Sequence, residues 1–141
     1  MPIAQMNWGR MKHAPDDTRM TEFMDALDRV YALAENHPGF IWRIPDDDAA
    51  QGLAALGHDE KVSATVSIWQ SVDDLRDYTF NSEHGAFLKR TSEWFETVEG
   101  PQLVIWKVDA LTRPGFTEAF QRLDHLREHG ASELAFGWPD A

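Results

Sequence analysis

The segment from Val62 to Trp69 alternates strictly between apolar and small polar side chains, and no other segment constrains the fold as strongly. Strict alternation is typical of a β-strand that has one face in a core and the other in a different environment. The apolar face consists of Val62, Ala64, Val66 and Ile68, and the opposite face consists of Ser63, Thr65, Ser67 and Trp69. Because small polar side chains that end at a tryptophan suit the lining of a cavity, we expect a ligand cavity on that side of the strand.

The other periodic segments surround this strand with helices and further strands. Apolar residues at helical spacing predict helices at 20–34, 72–80 and 84–95, and a last helix from 116 to the glycine at 130. Aromatic and β-branched runs predict strands at 3–11, 40–44 and 103–108, with 134–138 as a candidate edge strand. The acidic stretch 45–60 is predicted to be an exposed loop.

This order of elements predicts an α+β, ferredoxin-like split βαβ protomer, with residues 1–141 in a single domain. We expect its helices to cover one face of the sheet, so that the other face must be buried by something else. A second copy of the chain is the usual solution for a protein of this size. We therefore expect a homodimer, a dimeric α/β barrel in which the two sheet faces enclose a cavity.

Charge and composition exclude several classes of partner. The chain has 24 Asp and Glu against 13 Lys and Arg, a net charge of −11, so neither nucleic acid nor an anionic lipid surface is an expected partner. The absence of cysteine excludes disulfides, cysteine zinc sites and thiol nucleophiles. There is no run of about 18 apolar residues and no basic, apolar leader, so we expect no membrane segment and a cytoplasmic location.

Several short motifs, taken in order, resemble those of a known family. They are Ala4–Asn7, Pro38–Arg43, His84, Arg90, Glu93–Glu96, Gly100–Pro101, Leu126–Gly130 and Ala135–Phe136. In this combination nearly the whole chain resembles the DUF3291 family, a set of small bacterial proteins of unassigned function. That family is similar in fold to the dimeric α/β barrels, which include cofactor-independent quinone-forming monooxygenases, haem-degrading enzymes and small isomerases. The resemblance implies a small-molecule ligand, but a fold alone does not identify it.

Two positions depart from the pattern of that family. A second tryptophan commonly follows the one that matches Trp106, and this chain has Lys107 there. A histidine commonly precedes the proline that matches Pro114, and this chain has Thr112 there. If the family shares a reaction that needs this imidazole, the present chain lacks the group or uses another one.

His84 is the first candidate for chemistry, because helical spacing places it on the same face as Phe87 and Trp94. A histidine on an apolar helix face inside a barrel is a candidate general base near neutral pH. The same imidazole is also a candidate ligand of haem iron. A capping or core histidine near the helix break at Asn81 is the structural alternative, and the sequence leaves all three hypotheses open.

Four tryptophans form a second group of candidates. Trp42, Trp69, Trp94 and Trp106 are candidate walls of a pocket for a flat apolar ligand, since three lie on predicted strands and one lies on the helix of His84. The alternative is that they fill the core and a dimer interface. The polar strand face that includes Thr65 favours a real cavity.

Polar and charged residues complete the candidate site. Gln5 and Asn7 share one face of the first strand and are candidates to hold a substrate carbonyl or to stabilise an anion, or else they pair in an interface. Arg43 and Arg90 are candidates to bind a carboxylate, or else they pair with surface acids.

These patterns favour a small-molecule-binding barrel, with a cofactor-independent monooxygenase-like or isomerase-like enzyme as the leading hypothesis. His84 would remove a proton from a flat apolar ligand, and Asn7 or Gln5 would stabilise the anion. The alternatives are a haem-binding or other non-catalytic ligand-binding protein that uses His84, and a purely structural dimer. No metal is expected, because the helical pair His125 and His129 lies among charged neighbours. We expect no cofactor in the leading hypothesis, and haem is the cofactor of the alternative.

Overall fold

The computed structural model describes residues 1–140, and its centre is one four-stranded sheet with helices on both sides. The strands are β1 (Ile3–Arg10), β2 (Phe40–Arg43), β3 (Val62–Trp69) and β4 (Leu103–Lys107). The helices are α1 (Thr21–Glu35), α2 (Asp46–Ala55), α3 (Val72–Asn81), α4 (Glu83–Leu88), α5 (Thr91–Trp94) and α6 (Phe116–His129). Single 3₁₀ turns at Thr18–Met20 and Trp138–Asp140 complete the described elements.

The sheet is antiparallel in the order β2-β3-β1-β4, and its register separates two faces. Gln5 on β1 lies opposite Ser67 on β3 and Ile105 on β4, and Asn7 lies opposite Thr65. Directly paired residues project to the same side of a sheet. These side chains therefore share one face, which we call the cavity face.

The opposite face carries the main apolar core, and we call it the α6 face. Ala4 lies opposite Ile68 and Trp106 there, and Met6 lies opposite Val66. All five residues are buried, and they pack against α2 and α6 through Leu53, Phe116, Ala119 and Leu123. A second core on the cavity face joins the sheet to α1 and α3 through Ala26, Val30, Leu75 and Tyr78.

Helices of the same chain thus cover both faces of the sheet, and the expectation that one face stays open for a second copy is wrong. A split βαβ unit needs only two helices, whereas this chain adds α2 and α6. The apolar stripe of α6 is buried against the α6 face of the sheet, as expected for an amphipathic helix. The homodimer itself stays a prediction.

The acidic stretch after β2 forms helix α2 rather than the predicted loop. Asp46, Asp47 and Asp48 occupy its first turn, where carboxylates interact favourably with the helix dipole. Only a narrow apolar stripe that includes Leu53 is buried, so the composition of the segment resembles that of a loop. Prediction from composition therefore failed where charge stabilises a helix end.

The remaining predicted elements lie close to their expected positions, with two differences. The predicted helix at 84–95 is two short helices, α4 and α5, and the segment 134–138 makes isolated bridges from Phe136 to Ile105 and from Ala135 to Ser132 in place of an edge strand. The last helix ends at Gly130, whose φ of 75° belongs to the left-handed region that glycine adopts without strain. Within residues 1–140, no helix has the length and apolar character needed to cross a bilayer.

Candidate functional site

A cavity of about 380 Å³ lies between the cavity face of the sheet and the helices α1, α3, α4 and α5. Most of its lining is apolar and aromatic, as expected for a small-molecule site. Polar groups reach it from the sheet and from the junction of α3 and α4. Those polar lining residues include Gln5, Asn7, Arg43, Thr65, Ser67, Thr79 and His84.

A chain of hydrogen bonds crosses the sheet wall of the cavity. Asn7 Nδ2 donates to Gln5 Oε1 at 3.0 Å, and Gln5 Nε2 donates to Ser67 Oγ at 2.8 Å. Trp69 Nε1 donates to the same Ser67 Oγ at 2.9 Å. Gln5, Ser67 and Trp69 are buried, so these bonds satisfy polar groups that water would otherwise have to reach.

His84 is held in one tautomer by the junction between α3 and α4. The Ser82 side chain caps α4 by accepting from the His84 backbone N–H at 3.2 Å. The imidazole Nδ1 lies 3.0 Å from the carbonyl oxygen of Thr79. Because a carbonyl oxygen can only accept, Nδ1 carries the proton in this contact and the lone pair of the neutral ring is on Nε2.

Burial lowers the pKa of His84, since desolvation disfavours the imidazolium more than the hydrogen bond to Thr79 favours it. The ring is therefore neutral at neutral pH. Among residues 1–140, no group makes a hydrogen bond to its Nε2 atom. The cavity thus contains an imidazole whose basic nitrogen is available.

A row of aromatic rings connects the two polar regions of the cavity. The ring centroids of Trp69 and Tyr78 are 5.1 Å apart in a stacked arrangement, and those of Tyr78 and His84 are 5.0 Å apart. The Tyr78 hydroxyl donates to the Val30 carbonyl at 3.2 Å, and burial raises the pKa of this phenol. Tyr78 therefore stays protonated and works as a wall rather than as an acid or base.

Both arginines of the candidate site are already paired with carboxylates. Arg43 lies at the cavity edge and contacts Glu35 at 3.1 Å and Asp46 at 2.9 Å. Arg90 lies outside the cavity lining, where it pairs with Glu22 and Glu93. The structural alternative to a carboxylate-binding role thus accounts for the ion pairs of both side chains, which also lie over the rings of Tyr31 and Trp94 respectively.

Comparison with known proteins identifies the family. A family model described as a domain of unknown function (DUF3291) matches residues 2–141. The chain belongs to the DUF3291 family. The resemblance noted in the sequence is confirmed, and a search of curated proteins gave no match.

Solved structures place this DUF3291 protein in a known fold. SnoaB, a cofactor-independent oxygenase from Streptomyces nogalater, shares 13% identity and a TM-score of 0.50, over 77% of this chain and 93% of that chain. PA3566 from Pseudomonas aeruginosa shares 15% identity and a TM-score of 0.49, over 79% of this chain and 95% of that chain. At such identities the similarity to SnoaB shows the fold alone, and it confirms the α+β, ferredoxin-like prediction.

The structure brings together most of the residues predicted for the site of this DUF3291 chain. The ones that line the cavity are Gln5, Asn7, Arg43, Thr65, Trp69, His84 and Trp94. Trp42 and Trp106 instead contribute to the core on the α6 face, because Trp42 pairs with Ile68 and Trp106 pairs with Ala4 on that face of the sheet. The two departures from the family pattern, Lys107 and Thr112, also lie outside the cavity lining.

Two cavity residues of this DUF3291 chain are not among the predicted site residues. The sequence predicts Ser67 only as part of a polar strand face, and its role as a double acceptor depends on Gln5 of the neighbouring strand and on Trp69 of its own strand. Tyr78 has a usable signal, since it follows the buried Leu75 by three residues on one helix face.

No metal centre is formed within the described part of this DUF3291 chain. Among residues 1–140, no group of three His, Asp or Glu side chains is placed to hold an ion. The rings of His125 and His129 lie 4.8 Å apart on α6, outside the cavity lining.

Proposed function

We propose that the protein is an enzyme that removes a proton from a flat, largely apolar small molecule bound in the cavity. The anion then reacts with dioxygen, as in an oxygenase, or takes a proton back at another atom, as in an isomerase. The observation that carries the proposal is a neutral imidazole with an available Nε2 in an apolar cavity of about 380 Å³.

His84 acts as the general base in this proposal. Its Nδ1–H stays bonded to the Thr79 carbonyl while Nε2 takes the proton of the ligand. A lowered pKa leaves Nε2 unprotonated at neutral pH, so the base is ready without prior loss of a proton. The contact with the Thr79 carbonyl also stabilises the imidazolium that forms, because a cationic donor strengthens a hydrogen bond.

Asn7 supports the same step as a donor to the developing anion. Its Nδ2 uses one N–H on Gln5, which leaves its second N–H for a ligand oxygen. A fixed amide dipole in a dry cavity stabilises negative charge more than it would in water. The guanidinium at the cavity edge, Arg43, is less suited to this role because two carboxylates already neutralise it.

The oxygenase branch needs no group beyond the ligand and dioxygen. If a CH₂ group becomes a carbonyl, one oxygen atom of dioxygen enters the product and the other leaves as water. SnoaB, which shares this fold, is described as a cofactor-independent oxygenase. That description supports the branch by analogy of fold, and we propose a reaction without a tightly bound cofactor.

The experiment is a search for proton abstraction in a panel of flat phenols, enols and ketones. Binding is followed by quenching of Trp69 and Trp94, which line the cavity. Exchange of ligand C–H for deuterium is then measured by NMR without oxygen, and oxygen uptake is measured in air. Uptake of oxygen assigns the oxygenase branch, and exchange without uptake assigns the isomerase branch.

His84→Gln is the decisive variant. Loss of a general base should slow exchange by about 100-fold or more. His129→Gln is the matched control, because His129 is exposed on α6, away from the cavity. Exchange that survives His84→Gln at the wild-type rate would refute the assignment of the base.

Haem binding without turnover is a second candidate that the same histidine favours. An imidazole whose Nδ1–H is fixed by a backbone carbonyl presents Nε2 in the way that metal-ligating histidines do. A saturable Soret band on haem titration, abolished in His84→Ala, would establish this function in place of proton abstraction.

A homodimer remains part of the proposal, through a surface other than the sheet face. Helices α2 and α6 already bury that face, so an assembly through it would require both to leave. Light scattering on the purified protein measures the oligomeric state directly, and a monomeric mass at all concentrations would reject the dimer.

A further inference from the structure

Ser67 has an unusual hydrogen-bond state for a buried hydroxyl. Its Oγ accepts from Gln5 Nε2 at 2.8 Å and from Trp69 Nε1 at 2.9 Å. Ser67 is 6% exposed and Gln5 is 3% exposed, so water has little access to this group from outside. A serine oxygen has two lone pairs and one proton, and both lone pairs are now in use.

The remaining capacity of Ser67 is therefore the donation of its own proton. Among residues 1–140, no acceptor takes a hydrogen bond from this hydroxyl, although a buried donor normally has a partner. Ser67 lines the cavity, so the cavity is where an acceptor can reach it. Both of its partners donate to it in this structure, because Trp69 offers only an indole N–H and the Oε1 atom of Gln5 is turned away to accept from Asn7.

We propose that Ser67 is the anchor for a ligand oxygen, and that the ligand is a flat compound with a carbonyl or enolate oxygen. This inference rests on the proposed function and narrows its substrate class. A carbonyl makes the neighbouring C–H acidic, which is the property that a histidine base requires. The anchor thus joins the recognition of the ligand to the bond that His84 breaks.

The surroundings of Ser67 make it a strong and well-oriented donor. A hydroxyl that accepts two hydrogen bonds becomes polarised, and its own donation strengthens. Trp69 is fixed by stacking on Tyr78, and Gln5 is fixed by its bond from Asn7. The direction left for the proton of Ser67 is therefore restricted before any ligand arrives.

The arrangement of rings also sets the reach of the ligand. Trp69 contacts Ser67, Tyr78 stacks on Trp69 at 5.1 Å, and the centroid of the His84 ring lies 5.0 Å from that of Tyr78. Two rings in contact, Trp69 and Tyr78, thus connect the anchor to the base. A ligand of two or three fused rings is therefore the expected size for contact with both groups, whereas a small aliphatic ketone would contact only one.

The test compares 9-fluorenone with fluorene, which share a flat three-ring frame and differ at one carbon, a carbonyl in the first and a methylene in the second. Dissociation constants are measured by tryptophan quenching, and the carbonyl stretch of bound fluorenone is measured by infrared spectroscopy. We expect fluorenone to bind about 2- to 10-fold more tightly, the range of one net hydrogen bond. Its carbonyl stretch should shift to lower frequency than in an alkane.

Ser67→Ala should make the two probes bind equally and should return the carbonyl frequency to its alkane value. Ser63→Ala is the matched control, because it removes the same group from the same strand and the same face of the cavity wall. This control should keep both the preference and the shift. A preference or a shift that survives in Ser67→Ala would overturn the anchor.

Ser67→Ala leaves the N–H groups of Gln5 and Trp69 without an acceptor, so its fold needs a check by thermal unfolding. The wild-type measurements can still overturn the proposal if the variant does not fold. An unshifted carbonyl stretch, equal affinity for both probes or no binding of either would each overturn the proposal. An internal water held by Ser67 would show itself as equal affinity.

The result also separates this inference from the proposed function. His84→Gln should keep the fluorenone preference while abolishing C–H exchange in flat ketones that carry a hydrogen beside the carbonyl. A preference that depends on Ser67, with no exchange in any ketone, would retain the anchor and reject the base. Exchange without a preference for the carbonyl would retain the base and reject the anchor.

Discussion

The junction between α3 and α4 has no room for a side chain at Gly85, and the substitution Gly85→Ala tests how the fold positions His84. A Cβ atom at this position would lie 2.6 Å from the carbonyl oxygen of Phe80 and 3.1 Å from its carbonyl carbon. Both are backbone atoms, so no side-chain rotation relieves the contact. The neighbouring Thr79 carbonyl holds the imidazole of His84, and α4 cannot move away from α3 without straining that bond.

The expected loss of stability follows from two opposing terms. Forcing an extra methyl group into a packed site costs about 1–3 kcal/mol, and alanine in place of glycine within a helix returns roughly 0.5–1 kcal/mol. The net destabilisation should then be about 1–2 kcal/mol, which lowers the Tm of a chain of this length by roughly 3–6 °C. A shift of α4 that lengthens the hydrogen bond to Thr79 should also lower the population of the His84 tautomer that carries its proton on Nδ1.

Thermal unfolding by circular dichroism measures the first effect, and ¹⁵N NMR of the imidazole measures the tautomer. Gly137→Ala is the control, because its Cβ would meet nothing closer than 3.7 Å and its φ lies outside the left-handed region. If Gly85→Ala keeps both the wild-type Tm and the wild-type tautomer, the close approach does not position His84 and the argument fails.

Three further comparisons test the site and its surroundings. Because burial lowers the pKa of His84, the unfolded chain binds more protons than the native one below about pH 6.5, so stability should fall as the pH drops toward the native pKa. Urea titrations at several pH values should show a smaller fall in His84→Gln. Trp69→Phe, which removes the bond to Ser67, should cost about 1 kcal/mol more in urea unfolding than Trp106→Phe, which removes a buried N–H without a partner. Arg90→Gln breaks exposed ion pairs and a cation–π contact in which the guanidinium lies 4.6 Å from the Trp94 ring centroid, so it should cost about 1 kcal/mol, and only the ion-pair part should weaken at high salt.

The strand β3 shows how far the sequence could predict the site. Its alternation gave the bounds Val62 and Trp69, and it also placed Thr65 and Ser67 on the same face as Trp69. The prediction succeeds because a strand has only two faces, and one apolar set fixes which face meets the core. The alternation of side chains along the strand then assigns every residue of β3 to one face or the other.

For Trp42 and Trp106, the alternation of side chains along the strand does not predict which face of the sheet they occupy. Both lie on strands without a clean alternation, so their sequence neighbours did not indicate which face they occupy. Trp106 faces the α6 core because it lies opposite Ala4, and Trp42 does so because it pairs with Ile68 after a register shift between Phe40 and Trp42. Strand pairing and bulges depend on contacts between distant parts of the chain, which a local sequence pattern does not reveal.

The sequence also does not predict which groups donate and which accept hydrogen bonds in the site. His84 was identified from helical spacing, but its tautomer depends on the Thr79 carbonyl, which becomes available only where α3 ends and α4 begins. The break itself depends on Ser82, whose side chain caps α4 and donates to the Tyr78 carbonyl at 2.5 Å. The interruption between α3 and α4, which makes the Thr79 carbonyl available to the imidazole, depends on both helices together.

The covering of the α6 face changes what a second subunit can contribute. If two sheets met face to face, Trp42 and Trp106 would lie between the subunits and a ligand site could be shared. Here those residues lie under α2 and α6, and the cavity is lined on its sheet side by Gln5, Asn7 and Ser67 of one chain. The polar anchor and the base therefore lie within a single protomer, so the proposed chemistry does not require a dimer even if a dimer forms.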